Sequence, residues 1–235
     1  MNLVIDIGNT FVKTAVFEQN TLLSNQTFAY EPAAVIQSLR SHKGPVIIAS
    51  VKSISLDNFS DSNPDIFLMG PQTRLPIKIN YDKPESLGND RLANAIAIYS
   101  LSKKKQSLAI DCGTCLKFDF VSNNEYSGGS ISPGLKMRFQ AVHTFTDKLP
   151  FIEPERLDLL NGKSTKDSIL SGCYRGMLAE IKQTIADYQS QFGEMDIYLT
   201  GGDHLFFADH FKNRIFADPF LTLKGLNEIL LFQTH

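Results

Sequence analysis

The sequence predicts an α/β protein of two similar lobes, each a mixed sheet flanked by helices. Two observations carry this. The chain opens with Leu3-Val4-Ile5-Asp6-Ile7-Gly8-Asn9-Thr10-Phe11-Val12-Lys13. An apolar run leads into an aspartate, a glycine and two small polar residues, and β-branched and aromatic residues then resume, which reads as strand, tight turn, strand. The pattern returns at Leu108-Ala109-Ile110-Asp111-Cys112-Gly113-Thr114, with one residue fewer after the glycine. Lys117 lies three positions after Thr114, as Lys13 does after Thr10. Asp111 follows Asp6 by 105 positions, so the repeat is half a molecule long and not a short solenoid period. It divides the chain into lobes 1–105 and 106–235 and predicts two turns, each with a carboxylate, facing one cleft.

In the first lobe a third strand over 22–28 completes a meander. Val35, Ile36 and Leu39 fall at helical spacing and predict a helix over 31–42. Pro45 introduces Val46-Ile47-Ile48-Ala49, a continuous apolar run of the buried parallel-strand kind. The stretch 57–64 is rich in Ser, Asn and Asp and reads as loop or weak helix. Residues 66–69 read as a strand, and Ile77 and Ile79 alternate with polar residues up to Tyr81 as a partly exposed one. In Gly88-Asn89-Asp90-Arg91, Asn89 or Asp90 can cap a helix running through Leu92, Ile96 and Tyr99 to about 102.

In the second lobe strand residues continue through Phe118, Phe120 and Val121, turn at Asn123-Asn124 and return over 126–131. Pro133, within Gly128-Gly129-Ser130-Ile131-Ser132-Pro133-Gly134, can start a helix carrying Leu135, Phe139, Val142 and Phe145, which Leu149-Pro150 ends. After a connection over 154–161, Ser164-x-x-Asp167 resembles a capping box with Asp in place of Glu. It opens a long helix through Ile169, Cys173, Met177, Ile181, Ile185 and Tyr188. A strand over 196–199 leads to Thr200-Gly201-Gly202-Asp203, where paired glycines permit close approach of a nucleotide base or ribose. A final helix spans 221–232.

A formal net charge of -2 gives no support to a nucleic-acid surface, and no apolar stretch reaches membrane-spanning length. No export signal opens the chain, so a cytoplasmic protein with reduced thiols is expected. Cys112-Gly113-Thr114-Cys115 has C-x-x-C spacing, but strand-like residues flank it where a redox motif would open a helix, and no second pair exists to complete a zinc site.

The turns point to phosphate. Gly8 lets the backbone come close to a ligand. Consecutive N–H groups, the Thr10 hydroxyl and the Asn9 amide can cradle an anion. Asp6 can hold a divalent ion through water, and Lys13 can return positive charge to the phosphates. With one glycine and no helix after it, the stretch is neither a P-loop nor a dinucleotide-binding fingerprint. On these residues alone an ordinary hairpin with a polar turn, and an Asp90 that only caps its helix, stay open.

Together these motifs, with Tyr81 and Gly162-Lys163-Ser164-Thr165, resemble the type III pantothenate kinases of bacteria, members of the acetate and sugar kinase, heat-shock chaperone and actin superfamily. The resemblance covers nearly the whole chain. It implies a duplicated actin-like (ribonuclease H-like) fold, a homodimer, and transfer of phosphate from ATP to pantothenate, the first step of coenzyme A synthesis. It implies ATP contacts at Asp6, Ile7, Gly8, Asn9, Thr10, Phe11, Val12, Lys13 and Thr114. Pantothenate would meet Tyr81, Gly88, Asn89, Asp90, Arg91 and Thr165, with Arg91 facing its carboxylate. Asp90 would be the catalytic base, accepting a hydrogen bond from the attacking hydroxyl. Mg2+ would come with ATP, and K+ or NH4+ would sit at Asp111. One departure is visible: Cys115 and Lys117 stand where the family shows small or hydroxyl residues. Two rivals are a sugar kinase, against which the Gly-x-Asp-Arg segment argues, and a non-catalytic accessory protein of transcription.

Overall fold

The computed structural model describes residues 1–8, 11–52, 65–211 and 215–234. The predicted loop at 57–64 lies outside them, as do Asn9 and Thr10. By its contacts the chain forms two units. The first comprises Met1–Leu101, Asn124–Ser127 and Phe220–His235, the second Ser102–Asn123 and Gly128–Pro219.

The first unit holds β1 (Asn2–Ile7), β2 (Phe11–Glu18), β3 (Thr21–Ala29), α1 (Pro32–Ser41), β4 (Val46–Ser50) and β5 (Ile66–Leu68). The strand order is β3-β2-β1-β4-β5. β1 runs antiparallel to β2 and parallel to β4. A parallel neighbour needs a crossover, and α1 supplies it, opening on Pro32, whose missing N–H costs nothing there. Alternation along β1 places Leu3, Ile5 and Ile7 in one core with Val35 and Leu39 of α1. Asn2, Val4 and Asp6 therefore share the opposite face. Asn2 donates to Asn227 across that face at 3.0 Å. Asn227 lies on α7 (Leu221–Thr234), which packs along α2 (Asn89–Leu101). Of the strand expected over 77–81 only β6 (Lys78–Ile79) forms, pairing in parallel with Glu125 and Tyr126.

The second unit holds β7 (Gln106–Cys112), β8 (Cys115–Ser122), most of β9 (Glu125–Pro133), α3 (Leu135–Thr144), α4 (Thr165–Leu170), α5 (Gly176–Phe192), β10 (Asp196–Thr200), α6 (His204–Phe207) and β11 (Phe216–Ala217). Its strands run β11-β10-β7-β8-β9, the order of the first sheet in repeat-equivalent strands. Asn123 and Asn124 both take positive φ, 50° and 64°, the requirement of a two-residue primed turn, so β8 and β9 are joined as the dipeptide predicts. Leu108, Ile110 and Cys112 enter the core with Phe139, Met177 and Ile181, leaving Asp111 on the other face, as Asp6 is in the first unit.

Three details differ from expectation. The long helix is interrupted by a π turn at Ser171–Arg175. Phe145, expected on the apolar stripe of α3, follows the helix end and is 84% exposed. The C-terminal helix, expected in the second lobe, groups with the first unit, because its buried face meets α2 and β1. Among the described residues no helix is long and apolar enough to cross a membrane.

Candidate active site

In the first unit the β1–β2 register sets Asp6 opposite Lys13 and Ile7 opposite Val12. Directly opposed residues put their side chains on one face, so the carboxylate and the lysine belong together. The Gly8 N–H donates to the Phe11 carbonyl at 3.0 Å. Ile7 and Val12 are wholly buried in the core, so only their backbone is offered to a ligand, whereas Phe11 is exposed.

The second turn repeats this geometry. Asp111 stands opposite Lys117, and the Lys117 Nζ lies 2.8 Å from Asp111 Oδ2. Here the Gly113 N–H reaches the Cys115 carbonyl at 3.2 Å, one residue sooner than in the first turn, which is the missing residue of the sequence repeat. Thr114 is exposed. Its carbonyl accepts the Gly134 N–H at 3.2 Å. A Cβ on Gly134 would fall 2.3 Å from the Gly113 carbonyl oxygen, so only glycine lets this loop back the turn. Arg138 steadies the same loop: its Nε donates to the Pro133 carbonyl at 2.8 Å, and its guanidinium pairs with Glu180, which also accepts from Ser132.

The glycine pair after β10 serves the protein before any nucleotide. Gly201 has φ +92°, and a Cβ there would lie 2.5 Å from Asp111 Oδ1. It seats the end of β10 on that carboxylate, and only Gly202 has open space beside it. The Asp203 N–H donates to the Cys112 carbonyl at 2.8 Å. Burial pushes the Asp203 carboxyl up, with Lys136 opposing. Burial, then the Asp111 and Asp203 charges, push the Cys112 thiol far up, which disfavours a thiolate at that position.

On the substrate side, α2 starts at Asn89, and the Gly88 carbonyl accepts the Leu92 N–H at 3.1 Å. Gly88 therefore holds the capping place that the sequence offered to Asn89 or Asp90, and both of these sit in the first turn. Asp90 Oδ1 accepts the Arg91 N–H at 2.9 Å. A Cβ on Gly88 would fall 2.7 Å from that oxygen, so glycine makes room for the carboxylate. Arg91 is buried, its guanidinium 5.9 Å from the Tyr126 ring centre, and Tyr81 lies 6.1 Å from the same ring. Tyr81, Arg91 and Tyr126 thus form one cluster. Tyr126 carries no motif of its own, and only the turn at 123–124 hinted at its placement.

Thr165 is exposed at the start of α4, where the Ser164 Oγ accepts the Asp167 N–H at 3.0 Å, the first half of the expected capping box. It lines a groove of about 1000 Å³ with Arg138, Leu149, Lys163 and Cys173, all in the second unit. Arg138 and Glu180 were not signalled by any motif, since their pairing joins residues far apart in the chain. Among the described residues no three His, Cys, Asp or Glu side chains cluster to hold a metal. A divalent ion arriving with ATP needs only one or two carboxylates besides the phosphates, and Asp6 fits that demand.

The chain is similar to known proteins. The sequence profile of the type III pantothenate kinases matches residues 2–187. The type III pantothenate kinase of Christiangramia forsetii is 41% identical over 99% of this chain and 98% of its own. Among solved structures, a Baf family protein from Campylobacter jejuni, described as a transcriptional activator, superposes with a TM-score of 0.66 at 22% identity, over 99% of this chain and 98% of that one. A ROK family glucokinase from Streptomyces griseus, in complex with glucose and AMPPNP, gives 0.51 at 12% identity, over 98% of each chain. At such identities the structures show the fold alone, and that fold is the α/β, actin-like fold of the sugar kinases. Sequence profile and full-length relatives together show that the chain belongs to the type III pantothenate kinase family.

Proposed function

We propose that this kinase transfers the terminal phosphoryl group of ATP to the hydroxyl of pantothenate, giving 4'-phosphopantothenate, the first step of coenzyme A biosynthesis. The observation that carries the reading is Asp90, presented with Gly88, Asn89 and Arg91 at the start of α2 in a chain of this family. Phosphoryl transfer asks a protein for alignment and charge neutralisation more than for covalent help. In this reading Asp6 to Lys13 and Thr114 take the ATP phosphates, and Asp6 holds the accompanying Mg2+ through water. Tyr81 and Gly88 to Arg91 receive pantothenate. Asp90 takes the proton of the attacking hydroxyl. In this reading Arg91, buried against Tyr126, is the partner of the pantothenate carboxylate. The working form is a homodimer in which Thr165 of one chain completes the pantothenate site of the other; its exposed place in a large groove supports this.

The test is ATP consumption with and without pantothenate, with the product identified by mass. Turnover should depend on pantothenate. Asp90→Asn should still bind ATP and lose about 10²–10⁴-fold in turnover, the usual contribution of a general base. A variant keeping more than half of the parent rate would reduce Asp90 to a structural residue of the first turn.

A further inference from the structure

The family uses a monovalent cation, and the resemblance places it at Asp111. The residues there do not fit a free ion. Lys117 Nζ stands 2.8 Å from Asp111 Oδ2, with the two side chains only 13% and 10% exposed. The lysine is no chance neighbour. The β7–β8 register fixes it opposite Asp111, the place that Lys13 holds opposite Asp6. The other carboxylate oxygen faces Gly113 and Gly201, where an added Cβ would fall 3.0 or 2.5 Å from Oδ1, and neither glycine has a side chain to complete an ion's shell. An ion brought to this carboxylate would meet a like charge. It would also gain no ligand from the lysine, whose ammonium has donors and no acceptor.

We infer that the Lys117 ammonium is a built-in monovalent cation: it does for Asp111 what potassium or ammonium from solution would do, and the enzyme turns over without a monovalent activator. The inference rests on the kinase reading above. A primary ammonium carries the same single charge as the free ion. Fixed on β8 three residues beyond Thr114, it is present at every encounter with ATP and needs no filling from solution. Largely hidden from water, the pair is also screened little by salt. The lysine that breaks the family's pattern thereby becomes the residue that replaces the family's ion.

The experiment measures turnover at constant ionic strength with potassium, ammonium, sodium or tetramethylammonium as the sole monovalent cation. The parent enzyme should give rates equal within about twofold, small against the tenfold that 1.4 kcal/mol would produce. Lys117→Ala should lose about a hundredfold in tetramethylammonium, the size of one lost charge-stabilising group, and recover in potassium or ammonium. Lys117→Arg should keep the indifference of the parent. Melting provides a reading independent of activity. The parent Tm should be the same in potassium and tetramethylammonium, whereas potassium should raise that of Lys117→Ala by relieving the charge left without its partner. If the alanine variant does not fold, Lys117→Met keeps the aliphatic packing for the same comparison. Parent turnover stimulated tenfold or more by potassium would overturn the inference, as would a Lys117→Ala enzyme that is active and indifferent to the cation. Absence of pantothenate-dependent turnover in every salt would instead count against the kinase reading, and the melting comparison would still decide the role of Lys117.

Discussion

Asp203 is a carboxylate that the fold holds at some cost. Burial is the larger influence on it and raises its pKa above that of a free aspartate; Lys136 pulls the other way. The native state therefore keeps its proton at pH values where the unfolded chain has released it. Stability from this residue is undiminished below the ordinary carboxylate pKa, and falls as pH rises from there through the raised value. Asp203→Asn removes this dependence. The difference in Tm between variant and parent should grow in the variant's favour as pH rises from about 4. A difference that is flat, or that shrinks with pH, would show that the native carboxyl is not held protonated. Legibility at this scale follows chain distance. Asp6, Asp90 and Asp111 can be found in the sequence because each sits in a short motif. Lys117 can be found as a repeat position, but its bond to Asp111 follows only from the register of two strands. That Gly201 serves Asp111 before any nucleotide depends on β10 lying beside β7, a parallel pairing that short-range patterns do not specify.

Between elements, α7 comes close to α2. A Cβ on Gly225 would stand 1.8 Å from the Ala93 carbonyl oxygen, an overlap that no side-chain rotation relieves. Gly225→Ala sets two effects against each other. Alanine gains up to about 1 kcal/mol in helix propensity, while forcing the helices apart costs about 1–3 kcal/mol or more. Strain should win, and each kcal/mol should lower Tm by about 2–4 °C in a chain of this size. Urea melts of parent and variant check it, and an unchanged or higher midpoint would mean that the helices move apart freely. Polar contacts hold α7 as well: Asn227 accepts from Asn2 and donates to the Gln19 carbonyl, at 3.0 and 2.8 Å, and the Thr222 hydroxyl donates to Asn94 at 2.8 Å. The helices, strands and primed turn are legible because periodicity and turn chemistry are local. The partner of α7 is not, since nothing in its own sequence names the far end of the chain.

At the scale of the molecule the half-length repeat is the most readable feature, and it appears as two sheets with one strand order. If the protein is the proposed dimer, sedimentation should give twice the chain mass of 26.2 kDa. At limiting pantothenate, a mixture of Asp90→Asn and Thr165→Ala subunits should regain activity that neither has alone, because a mixed dimer carries one site free of both changes. A fully active monomer would sink the shared site.

The first unit is discontinuous, and this bears on how the protein is made. The opening hairpin and α2 leave the ribosome early, yet the helix that covers them is encoded by residues 221–234. At about 5–20 residues per second of synthesis, α2 waits on the order of ten seconds with its apolar side uncovered. The second unit, by contrast, has all of its segments in hand before that last helix emerges. The nascent N-terminal half is thus the part with most need of a chaperone. A ribosome that stalls near residue 220 would release a chain in which the later-made unit can fold and the first-made one cannot close.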